Sequence, residues 1–162
     1  MACLYARARE GDSARKMLRI FADNFCSVNS FHLNGDQKGG QYSGFTYRPF
    51  TLEGNFAFAQ GIQEMLLQSD RGFIEIFPAI PGAWKEISFT KLRAAGAFLI
   101  SASRQEGSLN SVKIFSQKGG WVRLKWAPKT FHLSDGGKKY LFTDGMLEFS
   151  MQPGEEITIQ AG

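Results

Sequence analysis

The 162 residues are 43% hydrophobic and carry 19 basic against 15 acidic side chains, a formal net charge of +4. That supplies apolar material for one domain, or one and a part, to bury a core. The cations are scattered rather than gathered into a stripe with exposed aromatics, which argues against a nucleic-acid partner, and no apolar run approaches the ~20 residues that span a membrane.

Fifteen phenylalanines are many for this length and point to large aromatic contacts between layers. Cys3 and Cys26 are too few for a disulfide framework and lack metal-ligand spacing. The opening "MACLYARARE" has arginines where a signal peptide needs an apolar segment.

In chain order, Ala2 to about Arg9 are helix formers. Gly11-Asp12-Ser13 then reads as a break followed by a helix cap. From Ala14 onward Met17, Leu18, Phe21 and Phe25 recur at three- and four-residue intervals, the stripe of an amphipathic helix. Together these predict a helical hairpin.

The stretch "NSFHLNGDQKGGQYSGFTYRPFTLEGN" has no sustained period. A loop of that length inside a compact chain is uncommon and usually functional or disordered. Its aromatics, Phe31, Tyr42, Phe45, Tyr47 and Phe50, predict an ordered loop packed on something, with surface for a ligand.

Asn55 is suited to cap the next helix, with Phe58, Ile62, Met65 and Leu66 on one face and Gly72 as a stop. Beyond Gly72 the period changes to two. Short pieces beginning with "FIEIFPAI", "EISFTKLRA" and "AFLISASR" and ending with "KKYLF", "MLEFSM" and "EEITIQ" are separated by glycine-containing turns about ten residues apart. The predicted fold class is therefore α+β, N-terminal helices followed by an antiparallel β-sandwich. The expected division is a helical segment over 1–70 and an all-β domain over 71–162.

Standard nucleophilic and metal motifs are missing. His32 and His132 are the only histidines, a hundred positions apart and without neighbouring cysteines, so zinc is not supported and no cofactor is implied. "GDQKGGQYSG" lacks the lysine-serine ending of a phosphate loop. Carboxylates are the remaining chemical resource, because glycosidic hydrolysis uses two of them across the scissile bond. Glu53 stands where the third helix should start, beside the aromatic loop. It is equally suited to a structural role, since acidic side chains favour helix N-termini.

The ordered series "TLEGNFAFAQGIQEMLLQSDRGFIEIFPAIPGAW", "LRAAGAFLI" and "GSLNSVKIFSQKGG" resembles the C-terminal portion of glycoside hydrolase family 95, the inverting α-L-fucosidases. In that family an Asp-Gly-Asn-Phe-Gly stretch precedes a helix ending in Glu-Met-Leu-Leu-Gln-Ser. The likeness extends over roughly residues 4 to 126, including the helical start "YARAREGDSARKMLRIF". It implies that residues 1 to about 70 are the tail of an (α/α)6 barrel and that the rest is the β-domain closing such enzymes. It also implies a catalytic role for Glu53, in the place of the family's aspartate, and substrate contacts from Tyr47 and Asn55.

This chain departs from the pattern in three ways. Glu for Asp moves the carboxylate out by a methylene, ~1.5 Å, and a misplacement of about 1 Å costs on the order of a hundredfold in rate. Tyr47 stands where the family often has histidine, and Ala57 where its motif closes with glycine. Recognition of another sugar, such as galactose, is therefore open. The family's general-acid glutamate and water-positioning asparagines lie in upstream barrel segments without a counterpart in these residues.

Three roles follow: a C-terminal portion of a fucosidase-like enzyme that is inactive alone, a non-catalytic β-sandwich module binding carbohydrate or a partner protein, and a structural remnant. The first implies a glycan as partner once a barrel is complete, an extracellular or periplasmic parent, and a homo-oligomer formed through exposed barrel-facing helices. Trp84, Trp121 and Trp126 bear on the second. Trp121 and Trp126 are five apart, so a regular strand sends them to opposite faces, and at least one is expected in a core or interface.

Overall fold

The computed structural model describes residues 1–45, 49–126, 128, 130–135 and 137–162. Within them the chain separates into two units, Met1–Met65 with Pro78–Pro81, and Leu66–Phe77 with Gly82–Gly162.

The first unit is helical. α1 (Ala2–Arg7) ends where Arg9 turns to φ 63° and the Glu10 N–H returns to the Tyr5 carbonyl at 2.9 Å. α2 (Gly11–Asn24) starts three residues before the expected Ala14. Gly11 is the first helical residue rather than a break, and its lack of a side chain is required by packing: a Cβ there would lie 2.5 to 2.7 Å from backbone atoms of Ala79 and Ile80. Ser13 is not the cap either, since its hydroxyl donates back to the Glu10 carboxylate at 3.0 Å.

α3 (Glu53–Leu66) likewise begins two residues before Asn55. The three helices converge at Gly61, where a Cβ would stand 3.1 Å from both Ala2 and Leu18. Glu64 is buried there and fully engaged. It accepts from Arg7 Nη2 at 2.9 Å, Arg7 Nε at 3.3 Å and Gln60 Nε2 at 2.9 Å. Pairing keeps a carboxylate in such a place from being a large desolvation penalty. Among the described residues no helix is long and apolar enough to cross a membrane.

The described parts of the long loop are tied down by backbone pairing. Isolated bridges pair Cys26 with His32 and Leu33 with Phe50. The Gln37 N–H reaches back to the Asn24 carbonyl at 2.8 Å.

The second unit is two five-stranded sheets. One has the order β1 (Leu67–Gln68), β2 (Ile74–Ile76), β6 (Gly120–Lys125), β9 (Met146–Met151), β8 (Leu141–Thr143). The other has the order β3 (Ile87–Ala94), β4 (Phe98–Gln105), β5 (Ser108–Ser116), β10 (Glu156–Ala161), β7 (Phe131–Leu133). Alternation puts Phe98, Ile100 and Ala102 of β4, Val112 and Ile114 of β5, and Ile157 and Ile159 of β10 on one inner face. Val122, Leu124, Leu147 and Phe149 of β6 and β9 supply the other, and all of them join one apolar core. This is the sandwich that the period of two predicts.

Three details differ from the sequence expectation. β2 and β6 pair in parallel through Ile74 with Leu124 and Glu75 with Lys125, so the sheets are mostly rather than wholly antiparallel. β7 forms over Phe131–Leu133, a segment without a strand signal of its own, because β10 pairs with it. The "KKYLF" strand is confined to Leu141–Thr143, an outer strand with all three side chains exposed. At the other sheet's edge, β3 carries a register shift between Phe89 and Leu92 with Lys91 at φ 55°, an irregular, lysine-bearing edge that resists pairing with another chain.

Candidate functional site

Glu53 opens α3. Its side chain is exposed and has no hydrogen-bond or ion-pair partner among the described residues. The next two positions explain why this turn is built as it is. A Cβ on Gly54 would lie 2.5 Å from His32 Nδ1 and 2.7 Å from the Phe21 ring, so those rings occupy the space that a side chain would take. Phe21 and His32 pack at 5.2 Å between centroids, and His32 Nδ1 is 2.5 Å from the Thr51 hydroxyl.

Asn55 is not the helix cap. Its Oδ1 accepts the His32 N–H at 2.8 Å and its Nδ2 donates to the Ser30 carbonyl at 2.8 Å, so both ends of the amide clamp the loop onto the helix. An amide committed in this way positions the backbone around Glu53. Tyr47, the other expected substrate contact, lies outside the described residues.

Beside this turn is a pocket of about 300 Å³ within the helical unit, reaching Cys3 of α1, Leu18 and Phe21 of α2, His32 of the loop, and Ala57 and Phe58 of α3. Its lining is almost wholly apolar and suits hydrocarbon better than a sugar's hydroxyls. Met17, Phe21 and Phe25, the stripe that the sequence shows on α2, face it half-buried rather than closing a core.

Acid–base hydrolysis needs a second carboxyl group held protonated. The unit's two buried carboxylates are organised otherwise. Glu64 is neutralised by Arg7. Asp36, unnoticed in the sequence, accepts the Tyr42 and Lys38 amide hydrogens at 3.0 and 2.8 Å and so folds its own loop. The Tyr42 amide foremost, then that of Lys38, holds its carboxyl below the ordinary value against an opposing effect of burial. An Asp three residues ahead of "GGQYSG" is a turn-former pattern, and only that pattern marked it beforehand. The environment of Cys26 does not make it a nucleophile: burial pushes its thiol up, away from thiolate character. Among the described residues no cluster of three or more metal-ligating side chains occurs.

In the β-unit the tryptophans divide. Trp126 is 1% exposed and packs edge-on to Phe131 at 5.7 Å, whereas Trp121 on β6 is 70% exposed. Period two distinguishes their faces. Which of them faces the core comes from the register of β6 against β9, with Trp121 opposite Ser150 and Val122 opposite Phe149.

The profile of the glycoside hydrolase family 95 C-terminal domain matches residues 68–159. Alpha-L-fucosidase 2 of Arabidopsis thaliana is 32% identical over 120 residues, covering 72% of this chain and 14% of that protein. The chain thus corresponds to a small part of the length of the relative it matches.

Proposed function

We propose, since this chain belongs to glycoside hydrolase family 95 through the match over its residues 68–159, that it serves as the C-terminal part of an inverting glycosidase. Its helical unit contributes Glu53 to a barrel that other segments complete, and its β-unit closes the enzyme. The observation that carries this reading is the state of Glu53. It is the exposed carboxylate of the first turn of α3, without a partner among the described residues, on backbone braced by Asn55 and by the fit of Gly54 under His32.

In such an enzyme Glu53 would accept a proton from the attacking water, directly or through neighbouring amides, while a protonated carboxyl from another segment would protonate the leaving oxygen. With one carboxylate of the pair, the chain alone has no route to the second proton transfer. The apolar pocket supports the same reading, as a seat for hydrocarbon side chains of the barrel helices that other segments supply. The sugar we assign is L-fucose, by likeness to the fucosidase relative.

The test has two arms. The purified chain is expected not to release fucose from an α-1,2-fucosylated oligosaccharide, and turnover by it would overturn the assignment of inactivity. Fused behind the barrel segments of the Arabidopsis fucosidase, the chain is expected to hydrolyse the same substrate, and Glu53→Gln to lower the rate on the order of 10²- to 10⁴-fold. Hydrolysis by the fusion that ignores Glu53→Gln would remove Glu53 from the mechanism.

A further inference from the structure

The exposed indole of Trp121 does not stand alone. It lines a depression of about 190 Å³ in the β-unit, shared with Phe73, Phe98, Ser69 and Arg123 and bordered by Gly72 and Gly96. An open depression of this size has room for a single ring with its substituents.

The lining has two chemical characters. Trp121 and the half-buried Phe73 supply aromatic surface, Phe98 being buried in the core behind them, and Trp121 is the large apolar side chain of β6 that burial leaves in water. The rim supplies polar groups in defined states. Arg123 Nε donates to Glu148 at 2.7 Å, which fixes the guanidinium and leaves its Nη groups without a partner among the described residues. Ser69 Oγ accepts the Ala95 N–H at 2.9 Å, which leaves its own hydrogen to donate.

The two glycines keep the opening clear. Gly72, at φ 79°, has nothing nearer than 4.0 Å where a Cβ would stand, and the atom at that distance is Arg123 Nη1. Gly96, at φ 82°, forms the β3–β4 turn so close to Phe98 that a Cβ would fall 2.7 Å from its ring. A side chain at either place would stand on the border of the depression.

We infer that this depression is a binding site for one neutral pyranose unit of a glycan, with Trp121 as its platform. A pyranose has one face of C–H bonds, which an indole or phenyl surface covers, and an equatorial belt of hydroxyls, which need donors and acceptors at the rim. Arg123 and Ser69 provide them. The pairing of Arg123 with Glu148 cancels its charge locally, so an acidic sugar gains no advantage over a neutral one. The site shares no residue with the Glu53 region and does not depend on hydrolysis.

The experiment is calorimetric titration of the full chain with methyl α-L-fucopyranoside, methyl β-D-galactopyranoside and methyl β-D-glucuronide, alongside amide shift mapping. Saturable binding of a neutral glycoside is expected, with perturbation of the Gly72, Gly96 and Trp121 amides. Trp121→Ala should weaken it roughly tenfold, and Trp121→Tyr, which retains an aromatic face, should keep most of it. Both variants alter an exposed side chain, so unchanged melting identifies them as folded. Failure of both neutral glycosides to bind overturns the proposal. So does binding that Trp121→Ala leaves intact, or preference for the glucuronide.

Discussion

The two units of this chain use their apolar residues in opposite ways. In the β-unit the inner faces of two sheets close on each other, and Ile100, Val112, Ile114, Val122, Leu124, Leu147, Phe149, Ile157 and Ile159 are fully buried. In the helical unit the stripe of α2 lines an open pocket, Phe50 and Leu52 are exposed, and Phe56 on α3 is 67% exposed. Phe31 lies edge-on to Phe50 at 4.9 Å, yet both remain in water. The lesson is that the same amphipathic signal produces a finished core in one unit and an unfinished surface in the other. A sheet pair supplies its own opposite layer, whereas these three helices leave apolar side chains exposed.

The strongest way to break this contrast is to truncate a phenylalanine in each unit. Phe149→Ala is expected to cost about 3 to 5 kcal/mol in urea unfolding, because it empties a site between two sheets. Phe56→Ala should change stability by less than about 0.5 kcal/mol. Phe56→Ser should instead reduce self-association on size exclusion, the expected behaviour of an uncovered apolar face. Equal losses in the two units would show that the helical surface is covered after all.

A smaller effect isolates the turn under Glu53. Gly54→Ala puts a methyl group within 2.5 to 2.7 Å of the His32 and Phe21 rings, so the loop must move. A cost of roughly 1 to 3 kcal/mol is expected, within the range of overpacked interiors. It should appear as faster amide exchange over residues 30–32, whose backbone Asn55 holds. Unchanged exchange there would remove the packing reason for glycine.

The mildest prediction concerns pH. The folded carboxyl of Asp36 titrates below the ordinary value of 3.8, so its stabilisation of the loop is complete above that value and is lost as pH falls through the folded one. Protection of the Lys38 and Tyr42 amides, measured against their intrinsic exchange rates, should therefore fall in acid. Asp36→Asn should lower that protection at neutral pH as well and flatten its acid dependence, since an amide offers one acceptor where the carboxylate offers two.

The features legible from the residues alone are periodic or local. The three-and-four spacing of Met17, Leu18 and Phe21 favours a helix, and the alternation in "FLISASR" favours a strand with Phe98 and Ile100 on one face. The ordered motif from Glu53 to Trp84 was specific enough to indicate the family, because a long series of exact residues is hard to match by chance. Tertiary structure alone decided what depends on distant neighbours. Gly11 and Gly54 looked like a helix break and a loop residue, and both are glycine because another segment lies where a side chain would be. Asn55 had the chemistry of a cap and became a clamp, since its partners are the Ser30 carbonyl and His32 amide, more than twenty positions away. Trp121 and Trp126 were told apart by sheet register, and β2 joined β6 in parallel across three intervening strands. Local sequence sets the period of each element, and only the packed fold says which face meets which neighbour.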